Sequence, residues 1–483
     1  MKVLFINPPI ASRKRGKSLV ARLFYNSMPL GLGYLAAVAQ RQGHEARIID
    51  AAVELLTMDR LVEQVAEFAP DIIGITGLTT SWISTVQTLE VMRKRFPRAV
   101  LLAGGPHLSA WKEEALRNLP VDAGIIGEGE LPFADILMAV ENGRSLENIE
   151  GLLLPAGGGE FAMHGEKRYV EKLDDLPFPA RHLFKINLYK PIPADYRDLP
   201  KIPMISSRGC PFGCIFCDKG VFSRRYRSLS AERTVDEMQH CIKQHGARGI
   251  AFLDSTFGSD RRRAETICHE IIARKIKTDW TCTLRADSVD EDQLRLFKQA
   301  GCWRARLGIE TGDPEIMEVI CKGESLEHIR KAAVAGDKAG LQLKAFFMVG
   351  HFKETPESIR RSIAFAKSLP LMEVTVQINT PMKNTVQGES WYEYGTLETE
   401  DRLTDSSFWE PVFVPFGMTK KQLVKWQNRF YRSFMLRPSV LWRHLMHLRG
   451  WSDIKRYLSA VQLVFFLLFN REFAGHREPS EAT

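Results

Sequence analysis

Short apolar runs alternate with amphipathic stretches through most of this chain. Val3 to Ile6, Arg47 to Asp50, Asp71 to Thr76, Ala99 to Ala103 and Ala123 to Ile126 are strand-length runs with little polar interruption, as expected of strands buried on both faces. Helix-period stretches at Leu30 to Gly43, Asp59 to Phe68 and Ser84 to Phe96 fall between them. This order predicts an α/β fold, a doubly wound parallel sheet over residues 1–150 with its ligand loops at the strand C-terminal ends. Residues 151–200 break the rhythm. Gly157-Gly158-Gly159 and prolines at 155, 177, 179, 191, 193 and 200 predict a linker draped over its neighbours.

The alternation resumes over 201–395. Strands are expected at Ile202 to Ser206, Gly249 to Asp254, Trp280 to Leu284, Ala305 to Ile309, Leu343 to Val349 and Val374 to Thr380. Helices such as Thr234 to Gln244, Arg261 to Arg274, Glu291 to Ala300 and Thr355 to Ser368 separate them. Six βα units predict a partial (β/α)6 barrel with its chemistry on one rim. Residues 396–483 predict a helical extension built from Lys420 to Met435, Val440 to Leu448 and Ser452 to Phe469. Its apolar run Ala460 to Phe469 is only ten residues, short of the ~20 needed to span a bilayer.

At 483 residues the chain exceeds one ordinary core, in keeping with several domains. The first apolar run is followed at once by Asn7-Pro8-Pro9, so it reads as a strand rather than an export signal, and the cytoplasm is the expected compartment. The net charge of +8 is local: from Gly417 onward twelve Lys/Arg face four Asp/Glu, and the rest of the chain balances. That basic tail interleaves Trp426, Trp442, Trp451 and Tyr457 with arginines, which suits peripheral contact with anionic headgroups. A helical cap closing the barrel, with its arginines in water, fits the same pattern. Nucleic acid is the disfavoured partner, because the charge does not spread over the body.

The candidate chemistry sits in Cys210-Pro211-Phe212-Gly213-Cys214-Ile215-Phe216-Cys217. Pro211 and Gly213 exclude a regular helix, so the three thiols lie on a loop. Three thiolates hold three irons of a four-iron cubane and leave the fourth open. A structural zinc site wants four protein ligands, and the next candidates, His240 and Cys241, are more than twenty residues away. A dithiol reading of Cys214 and Cys217 leaves Cys210 unexplained. Cys241, Cys268, Cys282, Cys302 and Cys321 read as buried small residues.

The C-x3-C-x2-C spacing, with Phe216 before the last cysteine, resembles the radical S-adenosylmethionine (SAM) superfamily. The resemblance implies a [4Fe-4S] cluster on Cys210, Cys214 and Cys217, SAM on the open iron, and a 5′-deoxyadenosyl radical that abstracts hydrogen. It further implies that Phe216 lies by the adenine. Asp254, Arg285 and Glu310, at or near strand ends, would contact SAM. Where relatives carry Gly-Leu-Pro-Gly-Glu-Thr and Thr-Pro-x-Pro-Gly-Thr, this chain has Gly350-His351-Phe352-Lys353-Glu354-Thr355 and Thr380-Pro381-Met382-Lys383-Asn384-Thr385, so His351 and Lys353 are specificity candidates or turn residues.

Residues 1–150 resemble the cobalamin-binding domain that precedes the barrel in one class of these enzymes. Asn7-Pro8-Pro9, Pro29-Leu30-Gly31-Leu32-Gly33, Gly104-Gly105-Pro106-His107 and Gly127-Glu128-Gly129-Glu130 carry the likeness. It implies a cobalamin site at Thr80, Ser81, Gly104, Gly105, Gly127 and Glu128. An Asp-x-His-x-x-Gly motif is replaced by Asn7-Pro8-Pro9-Ile10, so no protein histidine is expected beneath cobalt, and His44 and His107 read as loop or surface residues. The implied activity is C-methylation of an unactivated carbon of a hydrophobic small molecule or lipid, with a flavodoxin or ferredoxin as reductant. Oxidative ring closure on a tetrapyrrole is the alternative enzyme reading. A cofactor-binding regulator on RNA or membrane is the non-enzymatic one.

Overall fold

The computed structural model describes residues 1–10, 27–397 and 411–447. The first sheet has seven strands: β1 (Lys2–Asn7), β2 (Glu45–Asp50), β3 (Ile72–Thr76), β4 (Val100–Gly104), β5 (Ala123–Ile125), β6 (Leu152–Gly157) and β7 (Glu160–His164). Their spatial order is β2-β1-β3-β4-β5-β6-β7. Strands β1 to β5 pair in parallel, and β6 and β7 join antiparallel. Helices cover both faces, and β1 shows why its residues are apolar throughout. Val3 and Phe5 enter one core cluster, while Leu4 and Ile6 enter the cluster on the opposite face.

The β6–β7 hairpin corrects the expectation of an irregular linker from residue 151. Leu152 and Leu153 are fully buried and pair with β5, and the three consecutive glycines, all at positive φ, form the turn. Glycine adopts that backbone at no steric cost, so the run serves a hairpin here.

Two short strands, β9 (Ser207–Arg208) and β10 (Arg227–Ser228), flank the cysteine loop as an antiparallel pair. The second large sheet is wholly parallel: β8 (Lys201–Met204), β11 (Gly249–Phe252), β12 (Asp279–Leu284), β13 (Cys302–Glu310), β14 (Gln342–Val349) and β15 (Glu373–Ile378), in the order β15-β14-β13-β12-β11-β8. Each predicted strand is present within a few residues. Ser230, Asp260, Asp290, Ser325 and Thr355 accept from the backbone N–H three residues on, opening the helices that follow the strands.

Strand alternation divides this second unit into a shell and a lumen. Leu307, Ile309, Phe347, Val349, Val376 and Ile378 point outward and are buried under helices. The intervening Arg306, Gly308, Glu310, Phe346, Met348 and Gln377 face inward and stay partly accessible.

The helix Lys420–Met435 packs on the edge strand β15. Tyr431 Oη receives the Val376 N–H at 2.8 Å, Gln427 donates to the Val376 carbonyl at 2.8 Å, and the Phe430 ring lies tilted against Phe347 with centroids 4.9 Å apart. This part of the tail therefore covers the edge of the barrel sheet. The predicted segments Ser452 to Phe469 and Ala460 to Phe469, with Trp451 and Tyr457, lie outside the described residues. Among the described residues no helix is long and apolar enough to cross a membrane.

Candidate active site between the two sheets

The cysteine loop leaves β9 through Gly209, at φ +81, where a Cβ would stand 2.1 Å from the Arg225 carbonyl oxygen. Only glycine passes there. The loop is then held from several sides. Ile215 N–H donates to the Ile320 carbonyl at 3.1 Å, Gln387 N–H donates to the Ile215 carbonyl at 3.2 Å, and Lys219 donates to the Phe212 carbonyl at 2.6 Å. Arg285 lies 3.6 Å over the Phe212 ring.

Cys210, Cys214 and Cys217 form no disulfide, and Cys217 feels the charge of both others. Burial pushes Cys217 up to about 11, against the pull of Lys219, so thiolates here call for a cationic partner. Among the described residues no three His, Cys, Asp or Glu gather tightly enough to hold a single ion. The three cysteines match the sequence pattern of a cubane, where each binds a different iron, and are one ligand short of a structural zinc cage. Cys241, Cys268, Cys282 and Cys302 are buried as expected, whereas Cys321 is exposed.

Glu310 ends β13 at the rim, in the left-handed region. Burial raises its carboxyl above the ordinary range, while Lys322 pulls it down. Lys322 stands 3.9 Å from Glu310 and 3.0 Å from Glu324, and Glu324 accepts from the Ala286 N–H at 2.7 Å. Burial draws the Lys322 ammonium down, but the two glutamates outweigh it and the net shift is upward. Lys322 also acts on Cys214. Sequence reasoning missed Lys322 and Glu324, which sit in an ordinary-looking charged turn, Cys321-Lys322-Gly323-Glu324.

Other predicted residues are placed differently. Asp254 is buried with its carboxylate already accepting from Ser206 N–H (2.7 Å), Ser206 Oγ (2.6 Å) and Ser207 Oγ (2.7 Å), so it ties β11 to the start of the cysteine segment. Arg285 is shared among Asp287, the Lys322 carbonyl and the Phe212 ring. Phe216 lies 6.1 Å from His351. His351 is no exposed turn residue: it is fully buried, and burial lowers its imidazole to about 4. Lys353 instead lies over the Tyr394 ring.

A cavity of about 320 Å³ opens at the C-terminal edge of the first sheet. Gly104, Gly105, Gly127 and Glu128 line it as predicted, while Thr76 and Leu78 stand where Thr80 and Ser81 were expected. Ser81 turns back instead, bonding both backbone groups of Leu78. A Cβ on Gly31 meets nothing within 4 Å and one on Gly104 only an oxygen at 3.8 Å, so these glycines keep room for a large ligand. The far wall belongs to the second unit: Ile205, Arg208, Val221 and Phe222.

Buried charge fastens the two units beside this cavity. Arg208 pairs with Glu130 at 2.5 Å and with Glu128 at 3.0 Å, and Arg227 pairs with Glu128. Glu128 also accepts from the Val170 N–H at 3.1 Å. Its carboxylate is therefore engaged at the seam.

No histidine is among the described residues lining the cavity. His44 and His107 are both buried, which corrects their reading as surface residues. His107 stacks 4.1 Å from Trp82 and 5.7 Å from Trp111, bonds Thr79 at 3.1 Å, and is lowered by burial to about 3.

Residues 16–137 match the B12 binding domain, and residues 204–366 match the radical SAM superfamily. The chain is 30% identical to an uncharacterized methyltransferase of Pyrococcus horikoshii over 96% of this chain and 99% of that one. It is 26% identical to the anaerobic magnesium-protoporphyrin IX monomethyl ester cyclase of Rubrivivax gelatinosus, over 91% and 78% of the two chains. Its fold superimposes on the radical SAM methyltransferase TsrM of Kitasatospora setae, with cobalamin and a [4Fe-4S] cluster bound, at a TM-score of 0.67 and 16% identity, covering 96% and 91%. With cysteine loop, glycine-lined cavity and both domains in one continuous arrangement, this chain belongs to the family of radical SAM enzymes that carry a cobalamin-binding domain ahead of the barrel.

Proposed function

We propose that the chain is a cobalamin-dependent radical SAM C-methyltransferase acting on an unactivated carbon of a hydrophobic small molecule. One observation carries the reading. The cavity at the sheet edge is walled by Arg208 on one side of the cysteine loop and by Val221 and Phe222 on the other. In this reading the cysteine loop, which runs between these walls, would bring its cofactors to face the cobalamin across one chamber.

Cys210, Cys214 and Cys217 would hold the cluster, with Lys322, Glu310 and Arg285 placed to receive the charged methionyl end of SAM. Phe216 would meet the adenine, and Asp254 would act from behind by fixing Ser206 and Ser207. Gly31, Gly104, Gly105 and Gly127 would admit the corrin. The bound groups supply hydrogen abstraction and a transferable methyl. The chain's own residues would supply enclosure: an apolar wall of Phe5, Leu32, Leu35 and Phe133 would keep water out of the cavity.

A second reading, oxidative cyclisation, is favoured by the likeness to the cyclase. Anaerobically reconstituted protein, given cobalamin, SAM, dithionite and candidate substrates, separates them. A methyltransferase releases both 5′-deoxyadenosine and S-adenosylhomocysteine, and a cyclase only the first. Intact SAM in fully loaded protein would defeat both.

A further inference from the structure

The floor of the barrel lumen carries charge that neither cofactor explains. Lys201 on β8, Arg304 and Arg306 on β13, and Lys344 on β14 converge there on Asp195 and Glu373. Four cations face two carboxylates. The carboxylates are already taken by other cations. Arg304 reaches Glu373 at 2.9 Å and Asp195 at 3.2 Å, and Lys344 reaches Glu373 at 2.7 Å and Asp195 at 3.5 Å. Lys201 donates to the Asp195 carbonyl.

Arg306 has the loosest hold on the carboxylates. Among the described residues its guanidinium meets only Asp195, at 3.9 Å, beyond hydrogen-bond distance. Its side chain is 13% exposed, and the space it faces is the lumen. Burial draws the Lys201 ammonium well down, and the neighbouring Arg306, Arg304 and Lys344 add to that. A guanidinium has no such escape, because it does not lose its proton in proteins. An enclosed charge of this kind wants a partner.

One strand face leads to it from the rim. Arg306, Gly308 and Glu310 share the inward face of β13, and because Gly308 has no side chain the Glu310 carboxylate lies over it, 2.8 Å from where a Cβ would stand. Four residues of strand rise about 13 Å, the reach of a short alkyl or isoprenoid chain. Phe346 and Met348 line the same passage from β14.

We propose that Arg306 centres an anion subsite at the lumen floor, and that the substrate is amphipathic, an organic carboxylate or phosphate ester whose acidic end rests there. This deepens the proposed function and rests on it for the identity of the reacting site. The bidentate fork of Arg306 suits either anion. Its stretch of apolar lumen accepts the intervening chain.

The test is calorimetric titration of the full-length, cluster-reconstituted protein with octyl phosphate, octanoate and octanol. At least one anionic probe should bind tenfold or more tightly than octanol, and Arg306→Gln should abolish that margin. Thermal unfolding without probe checks the variant's fold, and Arg306→Met serves if Arg306→Gln does not fold. Binding should persist with S-adenosylhomocysteine at saturation. Octanol binding within threefold of the anions, unchanged anion binding in the variants, or displacement by S-adenosylhomocysteine would each overturn the subsite. SAM cleavage by the same preparation is scored separately. Cleavage without anion preference sinks the subsite alone, and anion preference without cleavage sinks the proposed function alone.

Discussion

Replacing Glu128 by glutamine removes one charge from the seam between the units. In the native arrangement its carboxylate receives Arg208, Arg227 and the Val170 N–H, with 1% of the side chain exposed. Breaking a buried pair by removing one partner costs about 3–5 kcal/mol, because the remaining charge stays buried. Arg208 keeps Glu130 at 2.5 Å, and Arg227 keeps the carbonyls of Val170 at 2.7 Å and Phe222 at 3.3 Å, which places the cost near the lower end. About 3 kcal/mol is roughly a hundredfold in the ratio of closed to open seam. Hydrogen exchange followed by mass spectrometry should show this as similarly faster exchange in peptides covering Val170 and Arg227, with the distant β14 unaffected. The control is Glu171→Gln, whose partner Arg225 sits at 2.6 Å but is mostly exposed. Exposed pairs contribute at most about 1 kcal/mol. Equal protection in the two variants would refute the assignment of Glu128 to the seam.

Gly209→Ala should cut iron per chain severely after reconstitution, since the new Cβ collides with the Arg225 backbone; full iron loading would contradict this. His107→Phe should leave the spectrum of bound cobalamin unchanged, because His107 is engaged by Thr79 and two tryptophans rather than the cavity, and a shifted spectrum would make it a ligand. Cys321→Ser should keep the iron content and Cys214→Ser should lose it, measured side by side. Burial raises the Glu354 carboxyl to about 8, against the Gly350 and His351 N–H groups that lower it. The folded state thus holds a proton that the unfolded chain releases near pH 4.5, so this group's contribution is complete below that pH and is lost as pH rises toward 8. Glu354→Gln should flatten that decline, and melting curves of the apoprotein between pH 5 and 8 that fall as steeply as wild type would exclude it.

Legibility in the sequence followed range. Strand and helix identity depend on local periodicity, and all six barrel strands were readable within a few residues. The cysteine trio was readable because its ligands lie within eight consecutive positions. Partnerships formed across the fold were not. Glu128 lines the cavity as its glycine-rich loop implies, but nothing local shows that Arg227, 99 residues later, also holds its carboxylate. Asp254 has the right strand position for SAM, yet Ser206 and Ser207 occupy its oxygens. The β6–β7 hairpin was hidden because three glycines signal a flexible linker and a tight turn equally well. Lys322 carried no local mark at all, since only the folding of β13 brings Glu310 to it.

Because Tyr431 and Gln427 satisfy the backbone of the outermost strand, the segment that starts at Lys420 cannot be trimmed as though it were an appendage. Cutting there would leave β15 with bare amide and carbonyl groups, an invitation to stick to other chains or to vesicles for reasons unrelated to lipid recognition. Deletions meant to ask whether the basic tail touches a bilayer should begin after His447.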